Sequence, residues 1–247
     1  LGKKAMAAAG FAEATKLRRG EALPSGPLAL GVVGESSAVA DALAAVGLSA
    51  EPALIDSPET RTKDDKGRDQ APAYPAKIGA VLVDASQAAT VDQLEQVRAV
   101  LRPAMRGLEP SGRVIIVAAD PATASSVEQA AVRQALDGIM RSVGKELRAG
   151  ATANLVQVAD STTPAQLGVV LQFLLSGRSA YVDIHDSWEI EPQEYQRFDV
   201  YFKRSYDPVR FPPADYPKLR PLGLVKDVRL DGFDTWEARR ILAQKVP

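Results

Sequence analysis

Short apolar runs alternate with longer stretches of helical period over most of the chain. Each run is rich in Val, Ile, Leu or Ala and ends at a turn or polar residue, which is typical of buried strands in a parallel sheet. Five runs fit this description: Leu28–Val33, Pro52–Ile55, Ile78–Val83, Arg113–Ala118 and Asn154–Val158. The alternation of strand and helix predicts a three-layer α/β domain with a parallel sheet of about five strands.

The clearest helical pattern covers about Ser125–Arg148, and Gly150 is placed to end it. Its apolar residues recur at steps of three and four: Val132, Leu136, Ile139, Val143 and Leu147. Between the second and third strands, by contrast, Ser57–Ala76 is rich in Pro, Asp and Lys and has no apolar period. We expect an exposed, mobile loop there.

The aromatic content changes abruptly near residue 183. Of the 14 aromatic residues, ten follow this point, where the sequence also becomes rich in Pro and charge. Only Thr235–Gln244 has a helical pattern in that region. We therefore predict three parts: a basic helical segment at 1–20, the α/β domain at 21–183, and an irregular aromatic and Pro-rich appendage at 184–247.

Charge and composition narrow the function. Lys and Arg (30) nearly balance Asp and Glu (31), and the isoelectric point is about 6.0, so no overall field attracts nucleic acid or an anionic membrane. No stretch approaches the roughly 20 apolar residues of a membrane-spanning helix. We expect a cytoplasmic protein with neither nucleic-acid nor membrane partners.

Metal chemistry is also not expected. The chain has no Cys and a single His, which excludes disulfides, thiolate metal sites and a cysteine nucleophile. Asp183, His185 and Asp186 form a D-x-H-D pattern that could ligate a divalent metal. Three ligands so close in sequence rarely converge without a rigid scaffold, so an exposed turn is the favoured interpretation.

Several segments occur in the order typical of one enzyme family. SGRVIIVAAD and IGAVLVDAS resemble two strands of the short-chain dehydrogenases/reductases, and GIMRSVGKELRAGATANLVQV resembles the helix and strand that follow the family's active-site tyrosine. LRRGEALPSGPLALGVVGE and FLLSGRSAYVD are more similar to the N-terminal, flavodoxin-like, non-catalytic domain of long two-domain β-ketoacyl-acyl-carrier-protein reductases. The resemblance covers roughly residues 17–183 and implies a Rossmann-like or flavodoxin-like fold.

The chain departs from the active family at the positions that carry its chemistry. Ala38 and Ala40 stand where the resemblance places cofactor-binding glycines, and Asp84-Ala85-Ser86-Gln87 replaces N-N-A-G. The catalytic serine falls at or near Ala119. The Tyr-x-x-x-Lys pair falls near Gln129 and Arg133, and the Pro-Gly that follows the family's Asn-x-Val-x is Val158-Ala159 here. Without a phenol and a lysine at these two positions, the chain lacks the proton donor that the family uses in carbonyl reduction.

These losses predict a non-catalytic domain with a structural, regulatory or oligomerisation role in β-ketoacyl-acyl-carrier-protein reduction, in fatty acid or polyketide metabolism. We expect no bound cofactor, or at most weak binding of NADP. An alternative is a glycosyltransferase-like protein that binds a nucleotide sugar, because DVYFKRSYDP and KLRPLGL resemble segments of that class. The aromatic and basic run Phe198–Tyr206 fits stacking on a nucleotide or sugar, although a strand packed on the domain is the favoured interpretation.

Two surfaces are candidate binding sites. The turn that contains Gly31, Gly34, Ser36 and Ser37 could hold a small anion at a helix N-terminus, although a serine that caps the helix is the favoured explanation. The long helix carries Ala130, Ala131 and Ala135, whose small side chains allow close helix contact. We predict a homodimer, or contact with a reductase domain, through this helix.

Overall fold

The computed structural model describes residues 23–177, 180–183, 190, 192–197, 200–203, 212 and 214–221. The strands in chain order are β1 (Leu28–Val32), β2 (Glu51–Pro52), β3 (Thr62–Lys63), β4 (Asp69–Gln70), β5 (Ile78–Ala85), β6 (Leu108–Ala119), β7 (Thr152–Val158), β8 (Ala180–Asp183), β9 (Val200–Lys203) and β10 (Leu219–Pro221). The α-helices are α1 (Ala38–Ala45), α2 (Asp92–Gly107), α3 (Val127–Glu146), α4 (Pro164–Leu175) and α5 (Pro192–Arg197).

The main sheet has five parallel strands in the order β2-β1-β5-β6-β7. This confirms the predicted α/β domain and its strand number. Counted along the chain, the order of these five strands is 2-1-3-4-5, the flavodoxin-like arrangement of a doubly wound sheet. The Rossmann order 3-2-1-4-5-6 leaves the same five-stranded arrangement when its third strand is removed, so both fold types considered from the sequence share this layout.

Two apolar clusters fill the space on either side of the sheet. The cluster under α2 and α3 includes Val81, Val83, Val97, Val100, Ile116, Val132 and Leu136. The cluster under α1 and α4 includes Leu28, Val39, Leu43, Leu82, Ile115, Leu167 and Leu171. Successive residues of β5 and β6 enter opposite clusters because side chains alternate across a strand. Both faces of these two central strands are therefore buried, which explains their continuous apolar sequences.

The predicted elements are present with shifted ends. Helix α3 begins after Ser126, whose Oγ accepts a hydrogen bond from the Gln129 N–H at 3.1 Å, and it ends at Glu146. Strand β2 has only two residues. Strand β6 starts at Leu108, five residues before the predicted start at Arg113. Its first part is irregular, with Ser111 at a φ of 60° and a register shift against β5.

The segment 57–76 is not structureless. It contains an antiparallel hairpin, β3 with β4, and the Asp64 carboxylate organises the connecting turn by accepting the N–H groups of Lys66 and Arg68. The Arg106 guanidinium of α2 also donates to the Gln70 side chain at 3.0 Å. The segment is largely exposed, as expected, but it contains a hairpin that the sequence did not predict, because polar contacts hold the hairpin and give no apolar period.

The described residues near the C-terminus include regular structure. Strands β10, β9 and β8 form a second, three-stranded parallel sheet, and α5 lies between β8 and β9 in the chain. The expectation of an irregular appendage at 184–247 does not hold for α5, β9 and β10, which are regular. The predicted helix Thr235–Gln244 and the segment 1–20 lie outside the described residues. Within the described part of the chain, no helix has the length and apolar character that a membrane span requires.

Candidate functional site

The candidate site lies where the winding of the sheet reverses. Strands β1 and β5 are neighbours, but the chain leaves them toward opposite sides, and ligands of doubly wound sheets bind beyond the carboxyl ends of such a strand pair. In this protein the turn 33–37 follows β1, and Ser86 and Gln87 follow β5. The Val33 N–H donates to the Asp84 carbonyl at 2.9 Å, which joins the two strand ends.

The Asp84 carboxylate lies at the N-terminus of α1 and is fully buried. Its Oδ2 accepts the Val39 N–H at 3.0 Å and the Ser36 hydroxyl at 2.9 Å. Its Oδ1 accepts both the N–H of Ser86, at 3.2 Å, and the Ser86 hydroxyl, at 2.6 Å. Four donors thus converge on one internal carboxylate, and no cationic side chain among the described residues forms an ion pair with it.

This carboxylate has the role that a bound anion has at other helix N-termini. The first N–H groups of a helix lack partners within the helix and carry a partial positive charge, so they favour an anion. Here Asp84, which belongs to the neighbouring strand, supplies the negative charge and accepts the Val39 N–H. The N–H groups of Val39 and Ala38, at the start of α1, are therefore bound by the protein's own side chains, Asp84 and Ser36.

The four residues of the predicted anion turn have separate environments. Gly34 has a φ of +76°, and its N–H donates to Gln96 Oε1 at 3.4 Å. Ser36 donates its hydroxyl to Asp84. Ser37 occupies the N-cap position of α1, but its side chain makes no capping hydrogen bond and donates instead to the Asp41 carboxylate at 2.7 Å. Gly31 lies under α2, where a Cβ would come within 2.5 Å of Val100. Gly34, Ser36 and Ser37 thus share the turn, while Gly31 is a packing position.

The alanines that replace the family's glycines also differ from each other. Ala38 opens α1, and its N–H donates to Ser36 Oγ at 3.2 Å. Ala40 is exposed, so its methyl group does not lie at the contact between helix and sheet. That contact is made by Val39 and Leu43. Of these two alanines, Ala38 is therefore the one that is bonded to the turn.

The positions that the resemblance assigns to catalysis gather near the end of β6. Ala119 is its last residue, and Arg133 of α3 donates through Nη1 to the Asp120 carbonyl at 2.9 Å and to Thr123 Oγ1 at 3.0 Å. The Arg133 Nε is buried and has no hydrogen-bond partner among the described residues. Gln129 instead accepts the Ser125 N–H at 2.7 Å beside the start of α3. The resemblance assigns a lysine and a phenol to these two positions, which hold a guanidinium and an amide in this chain.

A second polar cluster was not foreseen from the sequence. The Asp56 side chain is fully buried and bound by three arginines: Arg61 Nε at 2.7 Å, Arg98 Nη1 at 3.0 Å and Arg102 Nη1 at 2.7 Å. These hydrogen bonds, with that of Arg61 the largest contribution, hold the pKa of Asp56 well below its usual range despite its burial. The cluster fixes the segment after β2 to α2.

A proline explains why Asp56 lies at this point. Pro103 is inside α2 and has no N–H, so the carbonyl of Ala99, four residues earlier, has no partner within the helix. The Asp56 N–H donates to this carbonyl at 2.9 Å. The signal in the sequence was a helical proline preceded by Arg98 and Arg102, four residues apart. A single sequence does not reveal which distant residue meets them.

The three alanines of the long helix do not share one face. Ala131 is exposed, and Ala130 and Ala135 are half-buried. At 100° per residue, Ala130 lies about 140° around the helix from Ala135. Ala131 and Ala135 lie on the flank of Glu128, whose carboxylate accepts the N–H of Val91 at the start of α2. Ala130 lies on the other flank.

Several predicted features lie wholly or partly outside the described residues. His185 and Asp186 of the D-x-H-D pattern do, and Phe198–Tyr206 is described only at Val200–Lys203, which forms β9. The segments that suggested a nucleotide sugar are likewise only partly described. Among residues that are described, no three His, Cys, Asp or Glu side chains form a group that could hold a metal ion.

Comparison with other proteins adds no assignment to this geometry. Neither the models of known protein families nor the curated proteins include a match to the chain.

Proposed function

We propose that this chain is a non-catalytic domain related to the short-chain dehydrogenases/reductases, with a structural, regulatory or oligomerisation role in β-ketoacyl-acyl-carrier-protein reduction. The fold is compatible with that family, and the order of resembling segments along the chain supports the relationship. The link to acyl-carrier-protein metabolism rests on the sequence resemblance. The absence of a reductase function rests mainly on one structural observation, the position of Asp84.

Asp84 opposes a dinucleotide in two ways. Its carboxylate already accepts the Val39 N–H that a pyrophosphate at this helix N-terminus would need. A phosphate oxygen in the turn would also lie close to a buried negative charge, and two unit charges about 5 Å apart repel by about 3 kcal/mol at an effective dielectric constant of 20. We expect this repulsion to outweigh the attraction of a helix terminus, about 0.3–1 kcal/mol.

The end of β6 also lacks the groups for hydride transfer to a carbonyl. Reduction leaves an alkoxide that must be protonated, and the family uses a phenol whose pKa a lysine lowers. Ala119 has no hydroxyl, and Gln129 is engaged with Ser125. Arg133 cannot act as an acid near neutral pH because its guanidinium does not release a proton. These residues support a binding or structural role.

Nucleotide titration tests the proposal. The protein is titrated with NADPH and NADP by calorimetry, with a competent short-chain reductase as the positive control, and its unfolding midpoint is followed at 1 mM nucleotide. For a site with a dissociation constant of about 10 μM, this nucleotide concentration is about a hundred times the dissociation constant and would stabilise the fold by about 2.7 kcal/mol. We expect no shift of that size. A micromolar dissociation constant for either nucleotide would overturn the proposal.

A further inference from the structure

The two edges of the main sheet differ in how they are protected. Strand β2 forms one edge, is only two residues long and consists of Glu51 and Pro52, so it is short, charged and ends in a residue without an N–H. These are the devices by which proteins block pairing at a sheet edge. Strand β7 forms the other edge, is seven residues long and has the sequence TANLVQV, without charge, proline or glycine. Only β6 pairs with it among the described residues.

The hydrogen bonds of β7 identify the groups that face outward. Val158 accepts the Asp120 N–H through its carbonyl, so its backbone groups point toward β6. Because these directions alternate along a strand, Thr152, Asn154 and Val156 point the same way. Ala153, Leu155 and Gln157 therefore present their N–H and C=O groups on the side of β7 away from β6, where no described strand pairs with it.

This row of groups is complementary to itself. If two β7 strands meet antiparallel about a twofold axis at Leu155, Leu155 faces its own copy and Ala153 faces Gln157 of the copy. Facing residues of this kind exchange both N–H···O bonds, so the three outward residues of each strand form six hydrogen bonds. No like charges oppose each other because the strand has none. Twofold symmetry requires such a surface to match itself.

Helix α3 extends the same surface. A Cβ added to Gly144 would lie 4.0 Å from the Ala153 Cβ, so the C-terminal half of α3 lies against the outermost strand. Strand spacing and the position of α3 over β6 and β7 would place the two α3 axes roughly 10 Å apart in the dimer, within the usual range for packed helices. This adds area that two strands alone would not supply.

We propose that the β7 edge is a dimerisation surface, where a second copy of this chain pairs antiparallel about Leu155 and joins two five-stranded sheets into one of ten strands. This inference deepens the proposed function, because it names the surface through which a non-catalytic domain would associate. It differs from the sequence prediction, which placed the contact on the α3 alanines. Ala131 and Ala135 lie on the flank of α3 away from β7.

Engineered thiols test the register, since the chain has no cysteine. A153C and Q157C are made singly, mixed and mildly oxidised. Residue 153 of one copy faces 157 of the other at about 5.5 Å between Cα atoms, within reach of a disulfide. Two copies of residue 153 lie about 13 Å apart and cannot bridge. We expect a covalent dimer from the mixture and none from either variant alone; absence of the mixed dimer would overturn the proposal.

Sedimentation of two variant pairs tests the surface independently. Q157P removes an outward N–H without removing a bond to β6, and Q157V is its matched control. We expect Q157P to raise the dimer dissociation constant about tenfold or more and Q157V to leave it nearly unchanged. The double variant A131E/A135E should stay dimeric. A monomeric wild type at high concentration, an undiminished dimer of folded Q157P, or a monomeric A131E/A135E would each overturn the proposal.

Failure of the dimerisation proposal can be distinguished from failure of the proposed function. Nucleotide binding by a protein that cross-links at 153 and 157 would refute the non-catalytic role and leave the dimer intact. A monomer that binds no nucleotide would refute only the dimer. If Q157P does not fold, the cross-linking result decides alone, because neither cysteine variant changes the backbone groups at the edge.

Discussion

Removal of the Asp84 carboxylate tests whether it replaces a bound anion. D84A leaves two N–H groups, those of Val39 and Ser86, without their acceptor, and each unsatisfied group costs about 1–3 kcal/mol. The hydroxyls of Ser36 and Ser86 are 2.9 Å apart and can turn toward each other, so we assign them no cost. Loss of a negative charge at the first turn of α1 costs about 0.3–1 kcal/mol more.

One effect acts in the opposite direction. Asp84 has no cationic partner among the described residues, so its replacement removes the cost of burying a charge. With this offset we expect D84A to lower the free energy of unfolding by about 3 kcal/mol, which corresponds to a fall in midpoint of about 6–12 °C in a domain of this size. Urea unfolding measures the free energy and calorimetry the midpoint.

The control is Asp41, an exposed carboxylate in the first turn of the same helix, which accepts the Ser37 hydroxyl and no other described donor. D41A should cost less than about 1 kcal/mol. Added formate or phosphate should partly restore D84A and leave the wild type unchanged, because the variant frees the Val39 and Ser86 N–H groups that Asp84 occupies in the wild type. If D84A costs no more than D41A, the convergent hydrogen bonds do not carry the role assigned to them.

Three further predictions concern other parts of the molecule. The pKa of Asp56 is lower in the folded protein than in the unfolded chain, so its contribution to stability is complete above the unfolded value of about 3.8 and is lost as the pH falls toward the folded pKa. The free energy of unfolding of wild type, measured in urea, should therefore exceed that of D56N by less and less below about pH 4. A difference that stays constant to pH 2 would contradict this prediction. G138A should stabilise the fold by about 0.5–1 kcal/mol, since no described atom lies within 4 Å of the added methyl group. G168A should instead destabilise it by about 1–3 kcal/mol, because the methyl group would clash with the Ala42 carbonyl where α4 crosses α1, and equal thermal shifts of the two variants would refute the packing argument. The purified chain should not oxidise NADPH with an acetoacetyl thioester above a no-enzyme control, and turnover that survives repurification would show that another group supplies the proton.

The sequence predicted the parts of the fold that have local causes. Strands β5 and β6 are continuous apolar runs because both faces are buried, and α3 has a clear period because one side packs on the sheet. Their ends were less accurate. The early start of β6 includes Ser111, whose backbone is left-handed, within Pro110-Ser111-Gly112, a sequence that is more typical of a turn than of a strand.

The missed features depend on residues far apart in the chain. Asp84 caps a helix that begins 46 residues earlier, so a search for local caps at Ser36 and Ser37 could not find it. Asp56 meets Arg98 and Arg102 across 42 and 46 residues. Charged residues in a segment without apolar period suggested a loop, whereas in the fold such charges hold the segment in place.

Pro103 has a consequence for how the domain opens. An isolated α2 would have a gap in its ladder of hydrogen bonds at Ala99, and the gap closes only when the Asp56 N–H docks. Docking therefore joins the helix and the segment after β2 into one cooperative unit that should open together. The Asp56 amide belongs to no helix or strand, yet its hydrogen should exchange with solvent as slowly as the amides in the middle of α2.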